Sequence, residues 1–322
     1  MGDHHTTQKT RRRNRKGSAS HEQENAKDTH PKKVNANAFI ALALIIAGLG
    51  VLLYPVIATQ WNNAKQTKAA EEYSKLEKSV PQKVLDTAWK EAHHYNYTLR
   101  DISVGDAWTT DDDENSPAFQ RYQKYLSVLS ESETMGRIII PSIKSDLPIF
   151  HGTGDKALSR GVGHLFGTDL PVGGTGKGQG RHAALSAHTG YQTATLWDNL
   201  DKLKKGDAFY IQVAGKKLKY KIHSIDVVDP KDTSSLHRAP GRDLITLITC
   251  TPYGINTHRL MVTGHQVPLE PEDSEVFNGV GSKWQWWMWV IIAAATTILT
   301  LLLWWWRRNF GRRQTVAVNT TH

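Results

Sequence analysis

Residues 243–267 read DLITLITCTPYGINTHRLMVTGHQV. Two apolar runs rich in β-branched residues, DLITLITC and RLMVTGHQV, flank the turn-rich TPYGINTH. Runs bounded by Pro, Gly and Asn in this way predict strand, connection, strand. If the strands are antiparallel neighbours, Cys250 closes one and Arg259 opens the other at the same end. Their side chains can then face one pocket, expected at a barrel mouth. Side chains alternate along a strand, so if Arg259 faces the thiol, His258 does not. Cys250 is the only cysteine in 322 residues. With no partner for an internal disulfide, it is an inert buried thiol, an intermolecular link or a nucleophile. Composition alone favours the first, because a lone thiol behaves as a small hydrophobe.

The β-like pattern reaches back to Met135. GRIIIPSI, LPIFHG, RHAALSAH, DAFYIQV and KLKYKIHSIDVV are short runs with turn signals between them, and AGKK (Ala214–Lys217) suits a hairpin turn. No helical segment of normal length separates most of these runs. That favours a closed or nearly closed, mainly antiparallel barrel over a Rossmann-type sheet. GGTGKGQG (Gly173–Gly180) fails as a phosphate loop, because Lys177 is followed by Gly178 where Ser or Thr is required; it reads as a flexible connection.

Upstream, residues 60–99 are rich in helix formers with a period near 3.6, broken at Pro81, and predict a stalk or helical hairpin packed on the domain. His93 and His94 are adjacent, so they do not share a helix face as a metal pair would. Residues 100–117, RDISVGDAWTTDDDENSP, read as an acidic loop with one tryptophan, Trp108.

The formal net charge of +9 sits at the ends. Residues 1–37 carry nine Lys/Arg against four Asp/Glu, and residues 307–322 carry four Arg and no acid; the rest balances at 27 of each sign. The tails border two uncharged apolar stretches, Ala38–Ala58 and Trp284–Trp306. A helix of either length spans roughly 30 Å, the thickness of a bilayer's hydrocarbon core. Trp clusters bound the second, as interfacial belts do. Flanking basic residues predict both termini on the cytoplasmic side, with 59–283 outside. The N-terminal basic run has no aromatics and precedes an apolar span, which argues against nucleic acid as its partner.

Of fifteen histidines, five lie in the tails. His188 ends the run RHAALSA and meets a turn, a placement common for catalytic side chains. His182 has the same parity but lies roughly 20 Å away along an extended strand, too far to serve the same site. Taken alone, His188 reads equally well as a hydrogen-bonded strand-end histidine. Together, Cys250, His188 and Arg259 have a coherent chemistry. A thiolate favoured by nearby positive charge attacks a carbonyl, an imidazole shuttles the proton, and a guanidinium holds substrate or oxyanion. That chemistry calls for no metal and no cofactor.

LSAHTG, LWDNLDKLKKGDAFYIQV and TLITCTPYGINTHRL resemble the sortases, most closely class C, the pilin-polymerising group. GVGHLFGTDLPVGGTG (Gly161–Gly176) resembles the family's run preceding the histidine. The resemblance is dense over about residues 136–267, and the second apolar span fits class C. It implies an eight-stranded sortase β-barrel with N-terminal helices and a lid loop, flanked by two transmembrane helices of a Gram-positive cell membrane. His188, Cys250 and Arg259 match the catalytic residues. The implied reaction cleaves an LPxTG-like sorting signal between Thr and Gly. It then passes the acyl group to a lysine of the next pilin subunit. The implied partners are pilin subunits and membrane lipid. Class C lids carry Asp-Pro-aromatic. Here Asp106, Ala107 and Trp108 stand in that place, so Asp106 would pair with Arg259 and Trp108 would stack over Cys250. Alanine leaves φ free where proline fixes it, which implies a looser lid. A sortase anchoring proteins to peptidoglycan, a sortase-like hydrolase and a non-catalytic pilus organiser are the competing functions.

The expected layout is a cytoplasmic tail (1–37), a transmembrane helix (38–58), an extracellular helical segment (59–99), a lid loop (100–117), the catalytic barrel (118–270), a linker (271–283), a second transmembrane helix (284–306) and a second cytoplasmic tail (307–322).

Overall fold

The computed structural model describes residues 36–99, 117–281 and 284–310. Among these, 36–46 fall in one compact unit and the remainder in a second, which holds the barrel. Eight strands form it: β1 (Gly136–Ile140), β2 (Ser145–His151), β3 (Val162–His164), β4 (Arg181–Ser186), β5 (Ala208–Val213), β6 (Lys216–Val228), β7 (Asp243–Thr251) and β8 (His258–Val267). They close in the order β1-β2-β3-β4-β7-β8-β6-β5. Seven coincide with the apolar runs of the sequence. The eighth, β3, is three residues inside GVGHLFG, too short to show a period. Most neighbours are antiparallel, but β2 pairs β3 and β4 pairs β7 in parallel.

Alternation divides β7 between two cores. Ile245 and Leu247 point inward, with Leu185 of β4, Val262 of β8 and the stacked rings of Phe209 and Tyr220 (5.3 Å, 6°). Ile248 points outward and packs with Ala184, Met261, Leu165 and Leu236, under the chain that follows β6. Burying such a side chain contributes about 1.5–3 kcal/mol, and burial on both faces explains why this strand reads as a continuous apolar run. Gly264 is required where it stands, because a Cβ there would lie 2.6 Å from Phe209 Cε1.

The β5–β6 hairpin turns on Ala214 and Gly215, both with positive φ (45° and 73°), as a two-residue hairpin loop demands. Helix α1 (Ala36–Ser79) pins it: Ala214 N–H donates to Tyr73 Oη (3.0 Å) and Gly215 N–H to Glu77 Oε1 (2.8 Å). The face of α1 that carries these contacts buries Val56, Thr59, Asn63, Gln66, Ala70, Tyr73 and Glu77, spaced three and four apart as one helix stripe. It is an unusually polar stripe. Pro81, with no N–H to donate, separates α1 from α2 (Gln82–Thr98), as the sequence indicated. Helices α3 (Pro117–Leu126) and α4 (Asp155–Leu158) are short.

Arg137 on β1 forms a buried bidentate pair with Asp146 on β2 (2.8 and 2.6 Å). Its Nη1 also donates to Ser74 Oγ of α1 (2.8 Å) and to the Phe277 carbonyl (3.0 Å). Residues 271–278, in the expected linker, form a 3-10 helix, with Phe277 packed on Ile139 and Tyr210. Beyond it lies α5 (Trp286–Phe310), whose Met288 sulfur accepts from Gln60 Nε2 (3.1 Å). Both α1 and α5 are long and apolar enough to cross a membrane. The glycine-rich loop at 173–180 is held rather than loose: Gly174 N–H donates to Gln266 Oε1 (3.1 Å) and Gly241 N–H to the Gly178 carbonyl (2.9 Å).

Candidate active site

Cys250 pairs directly with Arg259 across β7 and β8, and Thr251 pairs with His258. Directly opposed residues project to the same face, so thiol and guanidinium share one and His258 takes the other. His258 is exposed, with Nδ1 2.9 Å from Thr257 Oγ1. Residues 252–257 turn tightly: the N–H groups of Ile255 and Asn256 both donate to the Pro252 carbonyl (3.0 and 2.9 Å). Cys250 and Arg259 are half-buried, and Arg259 Nη1 donates to the carbonyls of Asn256 and His258 (3.3 Å each).

The parallel β4–β7 ladder brings in the imidazole. Ser186 pairs with Ile248, Ala187 N–H donates to the Ile248 carbonyl (3.2 Å), and Thr249 Oγ1 donates back to the Ala187 carbonyl (2.7 Å). One residue further, His188 stands level with Cys250. Cys250 and Arg259 thus sit on adjacent strands, with His188 at the same level just past the end of β4. Their parity is that of Ala184, Ile248 and Met261, so they lie on the outer face of the sheet, at the strand ends. A position inside the barrel mouth does not fit, because the inward positions 187, 249 and 260 belong to buried residues.

His188 stacks on Tyr191 (5.5 Å, 12°), and its carbonyl accepts from Trp197 N–H (3.1 Å). Burial holds its pKa below the ordinary imidazole value, partly opposed by the negative charge of Asp155.

The sortase domain model matches residues 138–267. The crystal structure of sortase C-1 from Actinomyces oris is 48% identical, covering 58% of this chain and 99% of that one, with a TM-score of 0.54. The chain belongs to the sortase family. Streptococcus pneumoniae sortase C is similar at 34% identity, covering 63% of this chain and 97% of its own, with a TM-score of 0.56. Bacillus anthracis sortase A is 30% identical over 139 residues, 43% of this chain and 62% of its own length, so this chain spans less than two thirds of that relative.

Of the sortase's sequence-predicted site residues, His188, Cys250 and Arg259 come together. Asp106 and Trp108 lie outside the described residues. His182 is well away, at the start of β4, with Nε2 2.8 Å from Thr246 Oγ1 and Nδ1 2.9 Å from the His237 carbonyl. Among the described residues no group of three His, Cys, Asp or Glu is placed to hold a metal. Sequence reasoning missed Asp198, whose Oδ1 accepts from Gly190 N–H (2.7 Å) and closes the loop after His188. Asp before a helical turn is common, and nothing in its spacing pointed to Gly190.

Proposed function

We propose that this sortase is a class C cysteine transpeptidase that joins pilin subunits. The observation that carries this is the level placement of Cys250 and Arg259 on β7 and β8 with His188 just past the end of β4. The Cys250 thiolate attacks the threonine carbonyl of an LPxTG-like signal. The Thr–Gly C–N bond breaks as His188, protonated, gives its proton to the departing glycine amine, leaving a thioester on Cys250. A lysine amine of the next subunit then attacks that thioester. His188 accepts the amine proton, the C–S bond breaks, and an isopeptide bond is released with the thiolate restored. Arg259, always charged, holds the substrate backbone or the tetrahedral oxyanion; such a donor is worth about 2.7–4 kcal/mol.

Sortase C neighbours from two genera support the class assignment. The S. pneumoniae enzyme is described in terms of pilin substrate specificity. The two apolar helices suit a membrane-held enzyme with membrane-held substrates. The basic tails support an orientation with both termini in the cytoplasm and residues 59–283 outside. Incubating the full chain with a pilin pair and analysing products by mass spectrometry tests the assignment. Isopeptide-linked multimers are expected. A peptidoglycan-linked monomer identifies an anchoring sortase, a free acid a hydrolase, and undiminished assembly by Cys250→Ala a non-catalytic organiser.

In the same scheme Asp106 and Trp108 act as a lid over Cys250. A solved relative, sortase A of Corynebacterium diphtheriae, has been studied as a lid mutant. Replacing either residue by Ala is expected to raise Cys250 alkylation several-fold; unchanged rates in both variants remove the lid.

A further inference from the structure

The loop that follows His188 is held from outside the barrel. Asn63 of α1 is buried (8% exposed) and uses both ends of its amide on one residue 132 positions away. Its Oδ1 accepts from Thr195 N–H (2.9 Å) and its Nδ2 donates to Thr195 Oγ1 (2.8 Å). Next to it, Asn62 Nδ2 donates to the Thr193 carbonyl (2.9 Å). Thr195 is fully buried, and its carbonyl accepts from Asp198 N–H (2.9 Å). Asp198 Oδ1 in turn receives Gly190 N–H, and Trp197 N–H bonds the His188 carbonyl. Hydrogen bonds thus run from α1 through Thr195 and Asp198 to Gly190, and Trp197, adjacent to Asp198 in the chain, holds the His188 carbonyl.

The neighbouring polar groups on the same stripe sharpen the contrast. Among the described residues Thr59 Oγ1 and Gln66 Oε1 are buried with no hydrogen-bond partner, which costs stability, whereas both ends of the Asn63 amide bond the loop. Asn63 also stands only five residues past Ala58, the end of the first apolar stretch, a rise of about 7.5 Å. The helix that leaves the apolar segment is therefore the one that grips the histidine loop within two turns of that boundary.

We infer that Asn63 is a positioning residue for the reaction, setting the placement of His188 through Thr195, so that the membrane stalk is part of the catalytic apparatus. The inference rests on the function proposed above, and its test separates the two. The full chain in detergent micelles is assayed on an LPxTG peptide. In parallel, its histidines are labelled at 13Cε1 and His188 is followed by NMR, assigned by the peak lost in His188→Gln. Asn63→Ala is expected to lower kcat roughly ten-fold with KM changed less than two-fold, since small displacements of reacting groups carry large rate costs. The loosened, better hydrated His188 should titrate higher than in the parent. Thr195→Ser, which keeps both hydrogen-bonding groups, should preserve rate and titration. A folded Asn63→Ala chain with unchanged kcat and unchanged His188 titration overturns the inference. If Asn63→Ala does not fold, Thr195→Val, which removes only the hydroxyl, is read by the same two measurements. A parent chain that fails to cleave the peptide defeats the proposed function, while the titration still decides the role of Asn63.

Discussion

The two ends of the β4–β7 pair carry similar residue types and opposite solutions. Because these strands run in parallel, both begin at one end and both finish at the other. At the beginning, Arg181 pairs with Asp243 in the ladder, and the charges are sealed in. Asp169 accepts from Arg238 Nε and Nη2 (2.7 and 2.6 Å), from Arg181 Nη1 (3.4 Å) and from His182 N–H (2.9 Å). Asp243 receives Tyr220 Oη–H (2.9 Å). At the finish, His188, Cys250 and Arg259 stand half-buried at the surface. A charge buried among ionic and hydrogen-bonding partners is held in place. One left at a rim can change state, and proton transfer needs that freedom. Histidine shows this on a single strand face: His182 has both ring nitrogens engaged and is 2% exposed, while His188 six residues later has its ring at the rim.

Substitution should separate the ends cleanly. The largest effect belongs to the open end. Cys250→Ala should reduce turnover at least 10³-fold, and His188→Ala or Arg259→Ala about 10²–10³-fold, with unfolding free energy changed by less than about 1 kcal/mol. Peptide-cleavage assays beside urea unfolding check both halves, and near-normal turnover by Arg259→Ala would remove that residue from the chemistry. The sealed end should behave in reverse. Asp169→Ala strands two guanidinium groups and is expected to cost about 3–5 kcal/mol of stability, while the folded fraction keeps kcat within a few-fold. A large kcat loss at unchanged stability would break the comparison.

The smallest effect concerns pH. Burial raises the Asp243 pKa to about 7, against the pull of the Tyr220 hydrogen bond and Arg181. The native chain thus holds this proton more tightly than the unfolded chain does. The resulting stability is fully present below about pH 4 and is lost as pH rises through 7. Relative to Asp243→Asn, the parent should lose roughly 2 kcal/mol between pH 5 and 8, each pKa unit being worth about 1.4 kcal/mol. Urea unfolding of both proteins at the two pH values gives the difference. Parallel behaviour would mean the carboxylate is matched as well as that of Asp169.

These same regions show how far the sequence could be read. The Cys250–Arg259 pairing was legible because a short connection makes neighbours of consecutive strands, and alternation then assigns faces. The barrel was legible for the same reason, run by run. His188 could be chosen by type and position, but its level with Cys250 depends on a parallel pairing across 62 residues, which no local pattern encodes. Alternation also left open which face was inward; that needed the identity of the second core around Ile248. Strand β3 escaped notice because three residues, the middle one Gly163, carry no period. The links from Asp169 to Arg238 and from Asn63 to Thr195 join ordinary polar residues 69 and 132 positions apart, and only the folded chain brings them together.

Arg137 has a mechanical consequence. Ser74 on the first apolar helix's own continuation and Phe277, shortly before the second, bond to the same guanidinium. One side chain of β1 therefore ties the continuation of the first apolar helix to the segment leading into the second. Closer to the apolar stretches, Gln60 bonds Met288 and Asn63 holds the loop after His188, so a load on these helices is divided between the barrel wall and the histidine loop.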